Sequence, residues 1–251
     1  MLGIFDSGVG GLTVLKALIR INPDIDFIYL GDTARVPYGN KSKKTIFRYA
    51  HDDIDFLIRN GATQILSACN TVSSLPLENL KSSYKIPIYG VIEPAVIAAV
   101  RITKGKVAVI GTKSTIDSHI YKNKLNRHGI EVFEQATPLL VPFIEEGWVN
   151  KAITDDLINI YMKPIVESNA DTLILGCTHY PMLYENIKSA TGGKLRIISS
   201  ADATAEFLSK KIALNGSGNT KFFATDSVES FKKIGAAFLA NRFNGVKEVS
   251  L

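Results

Sequence analysis

The chain has 251 residues with a formal net charge of +5, and 46% of the residues are hydrophobic while 21% are charged. This length allows one large or two modest domains with their own cores, and the composition excludes a disordered chain. No uncharged apolar run approaches about 18 residues, so we expect no membrane-spanning helix. The first residues lack the pattern of a signal peptide, so we expect a cytoplasmic protein with reduced thiols.

The positive net charge does not predict a nucleic-acid site. The basic residues occur as scattered pairs, and none is interleaved with the aromatic residues that a base-stacking surface requires. Such pairs are typical of solvated helix faces. We therefore expect neither nucleic acid nor a membrane as a partner.

Apolar runs of strand length alternate with segments of helical periodicity along the chain. Strands are predicted at 2–5, 27–30, up to Cys69, 86–91, 106–110, up to Cys177, 195–198 and 221–224. Helices are predicted at 12–21, 45–60, from 93 to about 101, from 201 to about 214, and at 228–241, with a flexible connection at 215–219. This alternation predicts right-handed crossovers and parallel sheets, that is, an α/β fold.

The pattern restarts in the middle of the chain, where the strand at 106–110 and its polar turn at 111–115 match the first strand and its glycine-rich turn. Asp6 precedes Cys69 by 69 − 6 = 63 positions, and Thr112 precedes Cys177 by 177 − 112 = 65 positions. The spacing therefore suggests two similar halves. The last forty-odd residues are too few for a domain, so we expect them to pack on the first half.

The two cysteines of the chain occupy the same local context. Cys69 and Cys177 each follow an apolar run and a small residue, and polar side chains come next. Ligands of open α/β sheets bind just outside the carboxyl ends of the strands. A lone cysteine is usually a small core residue, but the repeated arrangement favours two functional thiols over a disulfide.

Nucleotide and metal sites are disfavoured by their missing residues. The glycine-rich turn at 6–11 has Thr13 where a dinucleotide fingerprint requires glycine, and it lacks the Gly-Lys-Ser/Thr of a P-loop. The turn still offers N–H groups to an anion such as a carboxylate. Cys177 and His179 supply two metal ligands at most, so no metal is expected.

Two thiols on opposite sides of a bound molecule can remove a proton from one face of a carbon acid and return it to the other. Such a pair predicts a racemase or epimerase that needs no cofactor. A protonated histidine raises the thiolate fraction of a nearby cysteine, and His179 is placed to do so for Cys177. Two alternatives stay open, namely a cysteine hydrolase, which would leave Cys69 without a role, and a solute-binding module.

Several segments also resemble motifs of the cofactor-independent aspartate/glutamate racemase family, and they occur in the order typical of that family. These segments are 5–11, 31–39, 68–71, 90–94, 141–147 and 176–181. The resemblance implies interconversion of L- and D-glutamate for peptidoglycan synthesis by a homodimer without a cofactor. Aspartate racemases share the two-cysteine plan, so the motifs rather than a physical derivation favour glutamate.

The resemblance also implies roles for individual residues. Cys69 would exchange the proton on the D face with help from Asp6, and Cys177 would exchange it on the L face with help from His179. A contribution from Glu145 or Glu146 is left open. The residues implied in substrate binding are Asp6, Ser7, Tyr38, Gly39, Asn70, Thr71, Thr178 and His179.

The fold implied by the resemblance has two similar α/β domains with mainly parallel sheets that face each other across a cleft. The C-terminal segment returns to the first domain. We expect a first domain formed by residues 1–93 and 204–251, and a second domain formed by residues 94–203.

Overall fold

The computed structural model describes residues 1–214, 216–239, 242–243 and 245–251. The strands are Leu2–Asp6 (β1), Phe27–Gly31 (β2), Gln64–Ser67 (β3), Ile88–Gly90 (β4), Lys106–Gly111 (β5), Glu131–Ala136 (β6), Thr172–Gly176 (β7), Arg196–Ser199 (β8), Thr220–Ala224 (β9) and Lys247–Glu248 (β10). The helices are Leu12–Ile21 (α1), Lys43–Arg59 (α2), Asn70–Ser74 (α3), Leu77–Ser83 (α4), Ile92–Ile102 (α5), Lys113–Asp117 (α6), Ile120–Asn126 (α7), Leu140–Glu145 (α8), Ala152–Glu167 (α9), Tyr184–Ala190 (α10), Ser200–Lys211 (α11) and Val228–Leu239 (α12). Single 3₁₀ turns lie at Tyr38–Asn40 and Tyr180–Leu183.

The strands form two parallel sheets, which confirms the predicted α/β fold. The first sheet has the order β10-β9-β2-β1-β3-β4, and the second has the order β6-β5-β7-β8. Strand β9 pairs in parallel with β2, so the C-terminal segment returns to the first sheet as expected. The predicted connection at residue 215 and the predicted helix end at residue 241 lie outside the described residues.

The order β2-β1-β3-β4 of the first sheet recurs as β6-β5-β7-β8 in the second. Asp6 ends β1 and Thr112 follows β5, which are equivalent strands, while Cys69 and Cys177 follow the equivalent strands β3 and β7. The sequence spacing therefore reflects a repeated topology. It brings both cysteines to carboxyl ends of parallel strands, where ligands of such sheets bind.

Apolar helix faces cover both sides of each sheet. In α1, the side chains of Leu12, Leu15 and Leu18 are fully buried among β1, β2 and α11, as the helical spacing predicts. Each such leucine contributes about 1.5–3 kcal/mol of burial free energy. On the opposite face of the first sheet, α2 contributes a second apolar cluster around Ile54 and Leu57.

The segment between β5 and β7 holds elements that the sequence did not predict. Edge strand β6 is only half buried, so it lacks a clear apolar run. Part of the predicted polar turn at 111–115 is the start of α6, which Thr112 caps by accepting a hydrogen bond from the Thr115 N–H. Among the described residues, no helix is long and apolar enough to cross a membrane.

Candidate active site

A small cavity of about 20 Å³ lies between the carboxyl ends of the two sheets. Both cysteines line it, although their side chains are almost fully buried. The space is enough for about one water molecule. The residues that line the cavity are Ser7, Val36, Pro37, Tyr38, Gly39, Cys69, Asn70, Thr71, Thr112, Val141, Cys177, Thr178 and His179.

Cys69 follows β3 and immediately precedes α3. Its Sγ atom lies 3.8 Å from the hydroxyl oxygen of Ser7. Burial raises the pKa of the Cys69 thiol to about 12, and the nearby carboxylate of Asp6 adds to this increase. At neutral pH, Cys69 is therefore a protonated thiol with a proton to donate.

Cys177 has a different neighbour, because its Sγ atom lies 3.8 Å from Nδ1 of His179. His179 Nε2 lies 3.2 Å from Oε1 of Glu145, within ion-pair distance, although among the described residues Nε2 forms no well-aligned hydrogen bond. Burial alone lowers the pKa of His179, but Cys177 and Glu145 together raise it to about 10. The imidazole is therefore cationic at neutral pH, and its positive charge lies next to the Cys177 sulfur.

Asp6 does not line the cavity itself, but it contacts Thr178, which does. The Asp6 carboxylate accepts a 3.0 Å hydrogen bond from the Gly8 N–H and lies 3.4 Å from the Thr178 hydroxyl. Burial raises the pKa of Asp6, although the charge of His179 and backbone N–H groups lower it. The glycine-rich turn thus directs an N–H group to an anion of the protein itself.

Asn70 and Thr71, at the start of α3, reach the second half of the chain. Asn70 Nδ2 donates a 2.9 Å hydrogen bond to the Tyr121 hydroxyl, and the hydroxyls of Thr71 and Thr112 lie 3.2 Å apart. Asn70 Oδ1 is buried without a hydrogen-bond partner among the described residues. A buried acceptor of this kind is costly unless a ligand donates to it.

The turn of Tyr38 and Gly39 contacts the second half at the edge of the cavity. Ser114 donates a 2.6 Å hydrogen bond to the carbonyl oxygen of Gly39. A Cβ atom on Gly39 would lie 2.9 Å from Cβ of Thr112, so a side chain there would push the two halves apart. The Tyr38 side chain is buried and bonds Asp32 and Asp53.

Gly10 allows the first turn to approach His179. A Cβ atom at this position would lie 2.5 Å from both His179 Nδ1 and the Thr178 hydroxyl oxygen. Only glycine fits here without displacing the loop that follows β7.

The structure thus brings together the residues that the sequence singled out, and it adds others. Glu145 contacts His179, whereas Glu146 is exposed. Thr112 lines the cavity. The sequence signal for it was its position after β5, which is equivalent to the position of Asp6 at the end of β1. Nothing in the sequence pointed to Tyr121, whose hydroxyl bonds Asn70 across the two halves.

The described residues contain no group of three or more His, Cys, Asp or Glu side chains suited to hold a metal ion.

Two repeated parallel sheets with one buried thiol at an equivalent end of each define an α/β enzyme of the amino acid racemase class. The family model for Asp/Glu/hydantoin racemases matches residues 21–208, and the chain belongs to this family. It is therefore an isomerase.

Individual relatives match over nearly their whole length. A glutamate racemase of Persephonella marina is 48% identical, and the match covers 93% of this chain and 91% of the relative. The crystal structure of a glutamate racemase isoform from Bacillus anthracis is similar with a TM-score of 0.93 at 37% identity, covering 100% of this chain and 97% of that one. A glutamate racemase from Francisella tularensis, solved in complex with D-glutamate, has a TM-score of 0.90 at 33% identity and coverage of 99% and 97%.

Proposed function

We propose that this protein is a glutamate racemase that interconverts L- and D-glutamate by proton transfer at Cα and supplies D-glutamate for peptidoglycan synthesis. The observation that carries this proposal is the placement of Cys69 and Cys177 on one cavity at the ends of equivalent strands. The similar glutamate racemases support the choice of substrate.

The two thiols differ in a way that suits the reaction from the L side. Cys177, whose Sγ atom lies beside the His179 cation, acts as the base and removes the α-proton of L-glutamate. Cys69, which is protonated at neutral pH, delivers its own proton to the opposite face of Cα and yields D-glutamate. In the reverse direction Cys69 must first lose its proton, and the buried carboxylate of Asp6 assists that step.

The cavity wall offers partners for an amino acid. The unpaired Asn70 Oδ1 is an acceptor for the substrate ammonium group, and hydroxyl groups of the wall suit its carboxylates. No cofactor takes part in this scheme. The proposed substrate-binding residues are Asp6, Ser7, Tyr38, Gly39, Asn70, Thr71, Thr178 and His179.

A cavity of about 20 Å³ is much smaller than glutamate. Substrate binding therefore requires the two halves to separate and close again around the ligand, as lids and domains do in many enzymes. Domain limits at 93/94 and 203/204 are part of the proposal, and they fall within α5 and α11, which pack against each other.

The proposal also includes an assembly and a location. A homodimer is proposed on the basis of the family resemblance. A cytoplasmic location is proposed because the mechanism needs both thiols reduced, and both cysteines are free thiols in the structure.

The test is to add the purified protein to D-glutamate in heavy water without any cofactor, following optical rotation and the α-proton NMR signal together. The expected result is loss of rotation with deuterium entering Cα. Exchange without inversion would show that only one thiol is competent and would contradict the two-base scheme. Activity on aspartate but not on glutamate would mean that aspartate is the substrate. Inactivity on both amino acids would favour the hydrolase or the solute-binding alternative.

A further inference from the structure

A cluster of charged side chains lies beside the Tyr38–Gly39 turn, and the scheme above gives it no role. Arg35 is at its centre and contacts three carboxylates. Its Nε lies 2.5 Å from Asp32 Oδ2, its Nη1 2.7 Å from Asp52 Oδ2, and its Nη2 3.0 Å from Asp53 Oδ1. One cation is therefore shared among three acids.

The cluster is largely removed from water. The side chains of Asp32 and Asp53 are 0% exposed, and that of Arg35 is 18% exposed, whereas that of Asp52 is 41% exposed. With every group ionised, the cluster would carry a net charge of 1 − 3 = −2. Because a buried charge without a partner is strongly unfavourable, one of the two buried carboxyl groups is expected to bind a proton.

Hydrogen-bond counting indicates which carboxyl group is protonated. The Tyr38 hydroxyl has one proton, and it bonds Asp32 Oδ2 while lying 3.1 Å from Asp53 Oδ2. Two ionised carboxylates cannot both accept that single proton. Asp32 also accepts from Arg35 Nε and from the Thr225 hydroxyl at 2.9 Å, so both of its oxygen atoms are acceptors and Asp53 is the carboxyl group left to donate.

We propose that Asp53 is a positioning residue that stays protonated at neutral pH, donates to the Tyr38 hydroxyl and thereby fixes the Tyr38–Gly39 turn at the cavity. The burial of Asp53 and the charge of Asp32 raise the pKa of Asp53 well above its usual value, although Arg35 lowers it. The effect on catalysis rests on the proposed function, because glutamate is the ligand that the turn would bind.

The turn connects this cluster to substrate binding. Tyr38 and Gly39 line the cavity, and Ser114 of the second half donates to the Gly39 carbonyl. The carboxyl groups of Asp32 and Asp53 hold the Tyr38 phenol, and Ser114 holds the Gly39 carbonyl. With both ends held, the turn is fixed in one conformation. Loss of the Asp53 contact releases the phenol, so it should weaken substrate binding more than it slows proton transfer.

The groups that face Asp53 also set its response to pH. Asp32, Arg35 and Tyr38 face it from the segment after β2, and Asp52 and Tyr49 belong to its own helix, with the Arg35 guanidinium 4.3 Å from the centre of the Tyr49 ring. Ionisation of Asp53 at alkaline pH would place two carboxylates against one phenol. We therefore expect KM for glutamate to rise at alkaline pH.

The variants compare a mimic of the protonated acid with a truncation. In Asp53→Asn, Oδ1 can still accept from Arg35 and Nδ2 can donate to Tyr38, as the protonated acid does. We expect Asp53→Ala to raise KM about tenfold or more with a smaller change in kcat, and Asp53→Asn to restore most of that loss and to flatten the alkaline rise in KM. Asp55→Asn, on the same helix but bonded to Tyr84, is the control and should leave KM and kcat unchanged.

Infrared spectroscopy tests the proton directly and does not depend on activity. At pH 8 the wild-type protein should show a carboxylic acid C=O stretch that disappears in Asp53→Asn and persists in Asp55→Asn. Infrared spectra of wild type and Asp53→Asn that do not differ in the carboxylic acid region would overturn the proposal. A KM as high in Asp53→Asn as in Asp53→Ala would also overturn it. If the protein proves inactive on glutamate, the infrared band still decides whether Asp53 is protonated.

Discussion

The Thr13 hydroxyl donates a 2.8 Å hydrogen bond to the carbonyl oxygen of Thr178 and so joins helix α1 to the loop that carries Cys177. The same hydroxyl lies 2.8 Å from the Gly10 carbonyl oxygen, at the turn that follows β1. Thr13 is buried, so water cannot replace these bonds easily. One side chain thus links the first turn to the loop that carries the second thiol.

Replacing Thr13 with valine keeps the shape of the side chain but removes its hydroxyl. We expect the free energy of unfolding to fall by about 1 kcal/mol and kcat to fall several-fold, because the Cys177 loop loses its anchor. Thermal unfolding and racemase kinetics measure the two effects. Thr191→Val removes a buried hydroxyl from the end of α10, which is outside the cavity, and should cost stability without lowering kcat.

Gly10→Ala tests the close approach to His179. The added methyl group would lie 2.5 Å from His179 Nδ1, so the histidine ring must shift, which disturbs its 3.8 Å contact with Cys177. We expect a loss of about 1–3 kcal/mol in stability from overpacking, together with a clear fall in kcat. Gly8→Ala is the control, because a Cβ atom there would have its nearest neighbour at an ordinary contact distance of 3.4 Å. It should lower stability and kcat less than Gly10→Ala does. Equal losses in the two variants would contradict a clash with His179 as the cause.

Removing either thiol should stop racemisation. Cys69→Ala and Cys177→Ala are each expected to lower kcat by about 10³-fold or more in both directions, because the proposed scheme uses one thiol as base and the other as acid in each direction. Both variants should remain folded, which thermal unfolding can verify. Substantial racemisation by either single variant would refute the two-base mechanism.

Glu145→Gln should shift the alkaline limit of activity. The Glu145 carboxylate helps to raise the pKa of His179 to about 10, so the cation is present at neutral pH and is lost as pH rises through that value. The contribution of the His179 cation to folding stability is likewise present at low pH and is lost as pH rises through the same value. Without the carboxylate the pKa of His179 falls, so the cation and the activity that depends on it should be lost at a lower pH.

The pH profile of kcat and histidine NMR titration measure this shift. Glu146→Gln is the matched control. Glu146 is the next residue in the chain and is exposed, and among the described residues its carboxylate has no contact with His179. The same shift in both variants would argue for a general surface-charge effect instead of the Glu145 contact.

The sequence predicted the parts of the fold whose signals are local. Buried parallel strands such as β7 appear as apolar runs, and amphipathic α1 shows the helical period along its own sequence. Edge strand β6 is partly exposed at every position and is not buried on one face alone, so its sequence shows neither an apolar run nor a clear alternation. The return of β9 to the first sheet was expected only because the last residues are too few to fold alone.

The candidate site was predicted where chemistry is concentrated in short motifs, as around Cys69 and His179. Contacts between distant residues were not accessible in the same way. The hydrogen bond from Asn70 to Tyr121 and the contact of Asp53 with Tyr38 join segments whose sequence separation carries no pattern. Such partners are chosen by tertiary packing, which only the folded chain reveals.

The repeated strand order suits the symmetry of the reaction. L- and D-glutamate are mirror images of equal free energy, so a catalyst must act on both faces of one carbon atom with comparable competence. The repeated strand order supplies two equivalent strand ends whose cysteines line one cavity. The neighbours of the two thiols differ, with Asp6 near one and His179 beside the other, so a change near one strand end can adjust one face of the reaction without removing the other thiol.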